Sequence, residues 1–243
     1  MLSLFRLYAH PLSQLPAGKM LITTLNAHSY NVACSDARFH EALLKSDILI
    51  PDGISIVWAA CWLTGARLKK IAGEDLFFYE MMRLQKSNGR VFFLGSSAAT
   101  LNKIRDRARV DYPSVTVQTY SPPFKAEFSA EDNAAMIAAV NDFQPDVLFV
   151  GMTAPKQEKW AFEHFDTLQV GHVCCIGAVF DFYAGTVKRA PRWVIHLGLE
   201  WFYRLVSEPR RMWRRYLLGN ALFIGAILQE KCHQIRAHRM RYR

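Results

Sequence analysis

The sequence predicts an α/β fold, a Rossmann-like, mostly parallel sheet flanked by helices, with a helical basic appendage at the C-terminus. Three observations lead there. Short β-rich runs alternate with helical patterns through residues 1–185, the arrangement that builds parallel strands through helical crossovers. The apolar runs Val-Phe-Phe-Leu (91–94) and Val-Leu-Phe-Val (147–150) show no polar alternation, as expected of strands buried on both faces. The charge is lopsided. Residues 186–243 carry 13 Lys and Arg against 3 Asp and Glu, whereas residues 1–185 carry 17 against 18. A nearly neutral body (1–185) is therefore followed by a cationic, aromatic-rich appendage (186–243) suited to an anionic partner.

The elements come in order along the chain. Residues 21–25 read as a strand and 28–45 as a helix. Thr24 and Asn26, between them, can cap that helix or hydrogen-bond a sugar or nucleotide at the sheet edge. A strand at 47–50 ends in Pro51-Asp52-Gly53. Asp52 there is either a turn residue or a carboxylate held at a rigid strand end and open to the ligand crevice. Helices are expected at 54–64 and 74–86, then a strand at 90–94. Its exit, Gly95-Ser96-Ser97, is a small-residue turn whose N–H groups can receive a phosphate, although neither GxGxxG nor a P-loop is present. A helix at 98–110, a strand at 115–120 and a helix at 130–142 come next. The strand at 147–150 ends in Gly151, and Pro155 opens a helix over 156–167, with Lys156, Gln157 and Glu158 in its first turn. Lys156 sits at the positive end of that helix dipole, so it either meets an anionic ligand or is simply solvated. A strand at 172–176 completes the body.

Several classes are disfavoured. No strand is followed by GxGxxG with an acidic residue about 20 positions on, which argues against a dinucleotide-dependent enzyme. Nucleic-acid binding has only the basic tail in its favour, and no nucleic-acid partner is expected. The five cysteines form no CxxC pair and the histidines show no ligand spacing. Buried thiols in a reducing compartment are expected rather than a structural metal. The first 18 residues lack a long apolar core, and the longest apolar run, 216–228, falls short of the roughly 18–20 residues that span a bilayer. No transmembrane helix is expected, and a cytoplasmic location is.

If residues 209–228 form one helix, Arg210/Arg214 and Arg211/Arg215 stack at i,i+4, while Trp213, Leu217, Ile224 and Leu228 lie near one apolar line. Such a segment suits an anionic membrane interface. The same line could instead pack on the body or on another subunit, and a homo-oligomer in which one tail completes a neighbour's site stays open.

Taken together, the Pro51-Asp52-Gly53 element, the stretch PDVLFVGMTAPKQEKW from residue 145, and the run FDFxAG…RAP…GLEW…R…EPRR from residue 180 resemble the WecG/TagA/CpsF family of bacterial glycosyltransferases, over about residues 20–228. The resemblance implies an inverting enzyme that moves a sugar from a UDP-sugar to a polyprenyl-diphosphate-linked sugar. It would act at the cytoplasmic face of the inner membrane, in cell-surface or exopolysaccharide synthesis. It also implies an appendage that completes the active site and helps bind the membrane. The family's pocket residues map onto Thr24, Asn26, Asp52 and Gln157, with Asp52 as the base. Lys70, in Lys70-Ile71-Ala72-Gly73-Glu74-Asp75, stands where many members carry arginine, and it loses the planar fork that grips phosphate or carboxylate.

Inverting transfer needs a base and positive charge for the departing diphosphate. No D-x-D metal signature is present, so neither metal nor cofactor is expected, and Arg204, Arg210, Arg211 and Arg214 are the candidates for the diphosphate. Thr24, Asn26, Lys70, Gly95, Gly151, Lys156, Gln157 and Glu158 complete the expected substrate site. N-acetylmannosamine, its uronic acid and glucose remain open as the donor sugar. A non-catalytic, membrane-associated nucleotide-binding adaptor is the alternative.

Overall fold

The computed structural model describes residues 1–188, 190–196 and 198–241. Its centre is a six-stranded sheet in which every pairing is parallel. The strands are β1 (Met20–Leu25), β2 (Ile48–Pro51), β3 (Arg90–Gly95), β4 (Thr116–Tyr120), β5 (Val147–Gly151) and β6 (His172–Cys175), in the order β2-β1-β6-β5-β3-β4. The chain runs outward from β1 to β2, then restarts on the far side with β3. The carboxyl ends of β1, β6 and β5 therefore border the point where the winding reverses, the usual place for a ligand crevice in open α/β sheets.

The uninterrupted apolar runs are buried on both faces. Phe93, Phe149 and Cys174 face one side with Phe77 and Leu76. Phe92, Leu148 and Cys175 face the other with Met136, Val140 and Trp160. Successive strand residues alternate between two cores, so both must be apolar.

The body helices are α1 (Ala27–Ala33), α2 (Ala37–Leu44), α3 (Ile54–Thr64), α4 (Gly73–Ser87), α5 (Ala98–Asp111), α6 (Ala130–Phe143), α7 (Lys156–His164) and α8 (Val179–Tyr183). The single helix expected over 28–45 is two, because the Asp36 side chain accepts from the Phe39 N–H and starts α2 afresh. The helix expected to reach 167 ends at His164 and tightens into a 3₁₀ turn, Phe165–Thr167. At the amino ends of the strands, the buried Glu80 accepts from Arg83 at 2.7 Å and meets His172 Nδ1 at 2.8 Å. His172 Nε2 faces the Pro16 carbonyl at 3.1 Å. This network closes the side of the sheet opposite the crevice.

The appendage consists of α9 (Arg192–His196), α10 (Glu200–Ser207), α11 (Pro209–Trp213) and α12 (Gly219–Arg241). One α-helix was expected over 209–228. Instead a π-helical turn, Arg214–Leu218, joins α11 to α12, with the Gly219 N–H reaching back to the Arg214 carbonyl. A turn wider than 3.6 residues changes the phase between α11 and α12.

The tail packs back on the body. Phe223 and Ile227 are buried with Tyr30, Phe39 and Leu25, and Phe223 meets Tyr30 edge-on with ring centroids 5.2 Å apart. Asn31 Nδ2 donates to the Gly219 carbonyl at 2.6 Å. The Glu230 carboxylate accepts from the Leu2 and Ser3 N–H groups and pairs with the terminal ammonium at 2.6 Å. Burial alone would push the Glu230 carboxyl up, but these donors outweigh it and hold it at about 2. The apolar line expected in the tail is thus shared. Phe223 and Ile227 are buried, while Trp213, Leu217, Ile224 and Leu228 are exposed.

Candidate functional site

A cavity of about 780 Å³ opens at the carboxyl ends of β2, β1, β6 and β5, and residues of the appendage line it as well. The strand order accounts for its floor. The Asp52 N–H donates to the Leu25 carbonyl at 2.8 Å, which extends the β1/β2 ladder by one step and fixes Asp52 on the cavity floor. Gly53 comes next at φ +140°, a conformation that favours glycine, and turns the chain at once into α3. Thr24 and Asn26 lie beside Asp52 at the end of β1. Asn26 Oδ1 accepts from the Ser29 N–H at 3.0 Å, so this side chain caps α1 and lines the cavity as well.

From β5 come Gly151, Gln157 and Glu158. A Cβ on Gly151 would stand 2.3 Å from the Phe180 ring, so only glycine lets α8 cross this strand end. Gly95, its register partner in β3, has φ +118°, and a Cβ there would approach the Gly151 carbonyl at 2.6 Å. Gly95 serves this close strand approach and is not part of the cavity wall. Gln157 and Glu158 are both buried, and Gln157 Nε2 donates to Glu158 Oε1 at 2.8 Å. Burial pushes the Glu158 carboxyl up to about 7, against the opposing pull of the Gln157 hydrogen bond.

Lys156 points elsewhere. Its Nζ donates to the Lys125 carbonyl and lies 3.5 Å from the centre of the Phe128 ring, away from the cavity. Burial lowers its affinity for a proton.

The appendage supplies the cations. Arg204 lines the cavity, its guanidinium 5.7 Å from the Phe182 ring, and its buried Nε finds no hydrogen-bond partner among the described residues. Lys70 lines it from the body and pairs with Glu200 of the appendage at 3.6 Å. Arg210 and Arg214 are not on the wall, and Arg214 lies over the Trp213 ring. The side chain of Arg211 falls outside the described residues.

Arg215, which the sequence placed only in a basic stripe, does line the cavity from within the π turn. His28 lines it too. Burial, aided by the Arg215 charge, lowers its imidazole to about 4, so the ring is neutral near pH 7. Sequence reasoning missed His28, and its place two residues after the Asn26 cap was the available signal. Trp58 and Trp62 of α3, with Ile224 and Leu228 of α12, are exposed apolar side chains along the same cavity. Among the described residues no group of three or more His, Cys, Asp or Glu side chains is placed to hold a metal ion, and no helix is long and apolar enough to cross a membrane.

The model of the Glycosyl transferase WecG/TagA/CpsF family matches residues 5–237, nearly the whole chain. The chain belongs to this family. Three curated relatives are each named N-acetylglucosaminyldiphosphoundecaprenol N-acetyl-beta-D-mannosaminyltransferase. The Bacillus subtilis (strain 168) protein is 31% identical over 212 residues, spanning 87% of this chain and 80% of the relative. The Bacillus spizizenii protein is 28% identical over 217 residues, 89% and 82% of the two chains. The Staphylococcus aureus (strain MW2) protein is 25% identical over 212 residues, 87% and 81%. As a glycosyltransferase of this family, the chain brings the parallel-sheet crevice and the tail to one cavity, whose lining includes Asp52 from the body and Arg204 and Arg215 from the tail.

Proposed function

We propose that this chain is an inverting glycosyltransferase that moves a sugar, N-acetylmannosamine in the first instance, from its UDP-sugar to a polyprenyl-diphosphate-linked saccharide. Three of its relatives are named for such an acceptor. The observation that carries the reading is the cavity itself, with Asp52 on its floor and cationic side chains of the appendage across from it. In this reading residues 1–185 are the catalytic body, and residues 186–243 complete the site and meet the membrane.

Asp52 takes the proton of the acceptor hydroxyl as that oxygen bonds to the anomeric carbon from the face opposite UDP. The bond to the diphosphate oxygen breaks in the same step and the configuration inverts. Arg204 and Arg215, with Lys70 beside them, receive the charge that develops on the departing diphosphate. Thr24, Asn26 and Gln157 orient the substrates. The exposed Trp58, Trp62, Trp201, Ile224 and Leu228 around the cavity, with the basic tail, suit an anionic surface that presents the lipid-linked acceptor. In this reading the enzyme is peripheral, at the cytoplasmic face of the bacterial inner membrane.

The test is sugar transfer by the purified full chain on anionic liposomes carrying polyprenyl-diphosphate-N-acetylglucosamine. A panel of UDP-sugars is assayed with and without a chelator, for the wild type and Asp52→Asn. Transfer from one donor that survives chelation and falls about 10²–10⁴-fold in Asp52→Asn supports the reading. Wild-type turnover in the variant removes Asp52 as the base, and silence with every donor removes the reaction.

A further inference from the structure

Glu158 has a burial that the glycosyl-transfer step does not use. Gln157 and Glu158 are 3% and 1% exposed, yet both belong to the cavity wall. Their one mutual hydrogen bond, Gln157 Nε2 to Glu158 Oε1, leaves Gln157 Oε1 and Glu158 Oε2 buried with no hydrogen-bond partner among the described residues. Two unsatisfied polar atoms are costly in a folded interior, and such atoms are commonly met by a ligand or water. Gly177 is the neighbouring wall, where a Cβ would stand 3.6 Å from Nε2 and 3.7 Å from Oε1, in ordinary contact rather than a clash.

We propose that Gln157 and Glu158 form a neutral hydrogen-bonding clamp, Gln157 Oε1 accepting and the Glu158 carboxyl donating from Oε2, that holds an uncharged group of the sugar nucleotide. The group is one that offers a donor and an acceptor close together, either a sugar hydroxyl or the imide edge of uracil. This rests on the glycosyl-transfer reading. Glu158 is thus a binding residue, distinct in role from the base and from the cations that take the diphosphate.

The surroundings favour the protonated carboxyl that the clamp requires. Strands β1 and β5, packed against α7, contain no titratable side chain. From β6 the neighbour is the Cys175 thiol, itself pushed well up by burial. Asp36, the cap of α2, is held by Lys159 at 2.9 Å, and Lys45 at the other end of α2, over the Phe162 ring of α7, pairs with Glu41 at 2.7 Å. The acids Asp52, Glu74, Asp181 and Glu200 and the bases His28, Lys70, Arg204 and Arg215 belong to other parts of the cavity wall. An ionised Glu158 would lose the donor and leave only acceptors, and with its carboxyl near 7 that change falls around neutrality.

The experiment is calorimetric titration of the full chain with UDP and with UDP-N-acetylmannosamine at about pH 6 and about pH 8.5, for wild type, Glu158→Gln and Glu158→Ala. Wild-type affinity is expected to fall about tenfold between the two pH values, the order expected for losing one hydrogen bond. Glu158→Gln, whose amide can donate in place of the carboxyl, keeps the low-pH affinity and loses the pH dependence. Glu158→Ala binds about tenfold more weakly at low pH. Weakened UDP binding identifies uracil as the group held, whereas weakening confined to the sugar nucleotide identifies the sugar. Identical pH profiles in wild type and Glu158→Gln overturn the clamp, even if Glu158→Ala does not fold. A wild type that binds neither ligand removes the transferase reading, and the clamp with it.

Discussion

Truncating Phe223 tests whether the tail is held to the body by its buried aromatic and aliphatic contacts. Phe223 is 4% exposed and meets Tyr30 edge-on at 5.2 Å, within a cluster that includes Leu25 and Phe39 of the body. Phe223→Ala removes that ring and leaves a cavity, a loss of roughly 3–5 kcal/mol for a buried phenylalanine. Some of this is recovered as the site relaxes, so about 3 kcal/mol is the working figure for undocking the tail. At 1.4 kcal/mol per factor of ten, the undocked population rises about 10²-fold. Limited proteolysis with trypsin reads that population directly, because the tail is rich in arginine and its cleavage tracks local opening. The expected result is tail cleavage accelerated about 10²-fold, with α12 released before the sheet unfolds. Leu222→Ala is the control, since Leu222 is 66% exposed and its loss should leave the rate unchanged. A Phe223→Ala protein cleaved at the wild-type rate would refute the docking argument.

Three further predictions concern the site and its frame. Glu158 has its carboxyl raised to about 7 from an ordinary 4.5, so its contribution to stability is present below pH about 4.5 and is lost as pH rises through about 7. Glu158→Gln should therefore gain on wild type by roughly 3 kcal/mol between those limits, at 1.36 kcal/mol per unit. Urea unfolding at the two ends checks this, and a constant difference would contradict the buried acid. Arg215→Ala should lower turnover roughly 10²-fold, as loss of a charge-stabilising group does, while Arg214→Ala, off the cavity wall, stays near wild type. The reverse ranking in steady-state assays would mean that Arg214, and not Arg215, faces the substrate. Gly151→Ala would drive a methyl to 2.3 Å from Phe180. It should destabilise the chain by roughly 1–3 kcal/mol, visible as a lowered Tm, and an unchanged Tm would show that α8 gives way freely.

Much of this was open to reading along the chain. The strands at 90–94 and 147–150 were legible because residues buried on both faces must be apolar without a break, and that condition leaves a local mark. Asp52 was legible as a strand-end carboxylate because Pro51 and Gly53 fix the turn around it. The break between α1 and α2 was missed because Asp36 looks like any polar residue on a helix until its side chain is seen capping the Phe39 N–H. Gly95 looked like a phosphate turn, yet its requirement comes from Gly151, a partner 56 residues away.

The sequence by itself determined the fold class, the family and the split between a neutral body and a cationic tail, because periodicity, motif order and net charge are properties of the chain. Only the tertiary structure decided which cations face the cavity. Arg215 lines the cavity while Arg214 lies over Trp213, and a helical pattern sets such neighbours about 100° apart without saying which side meets the body. The structure alone also set the state of Glu158. Whether a carboxyl is charged depends on what surrounds it, and here burial withdraws the water that would keep it ionised and outweighs the Gln157 hydrogen bond.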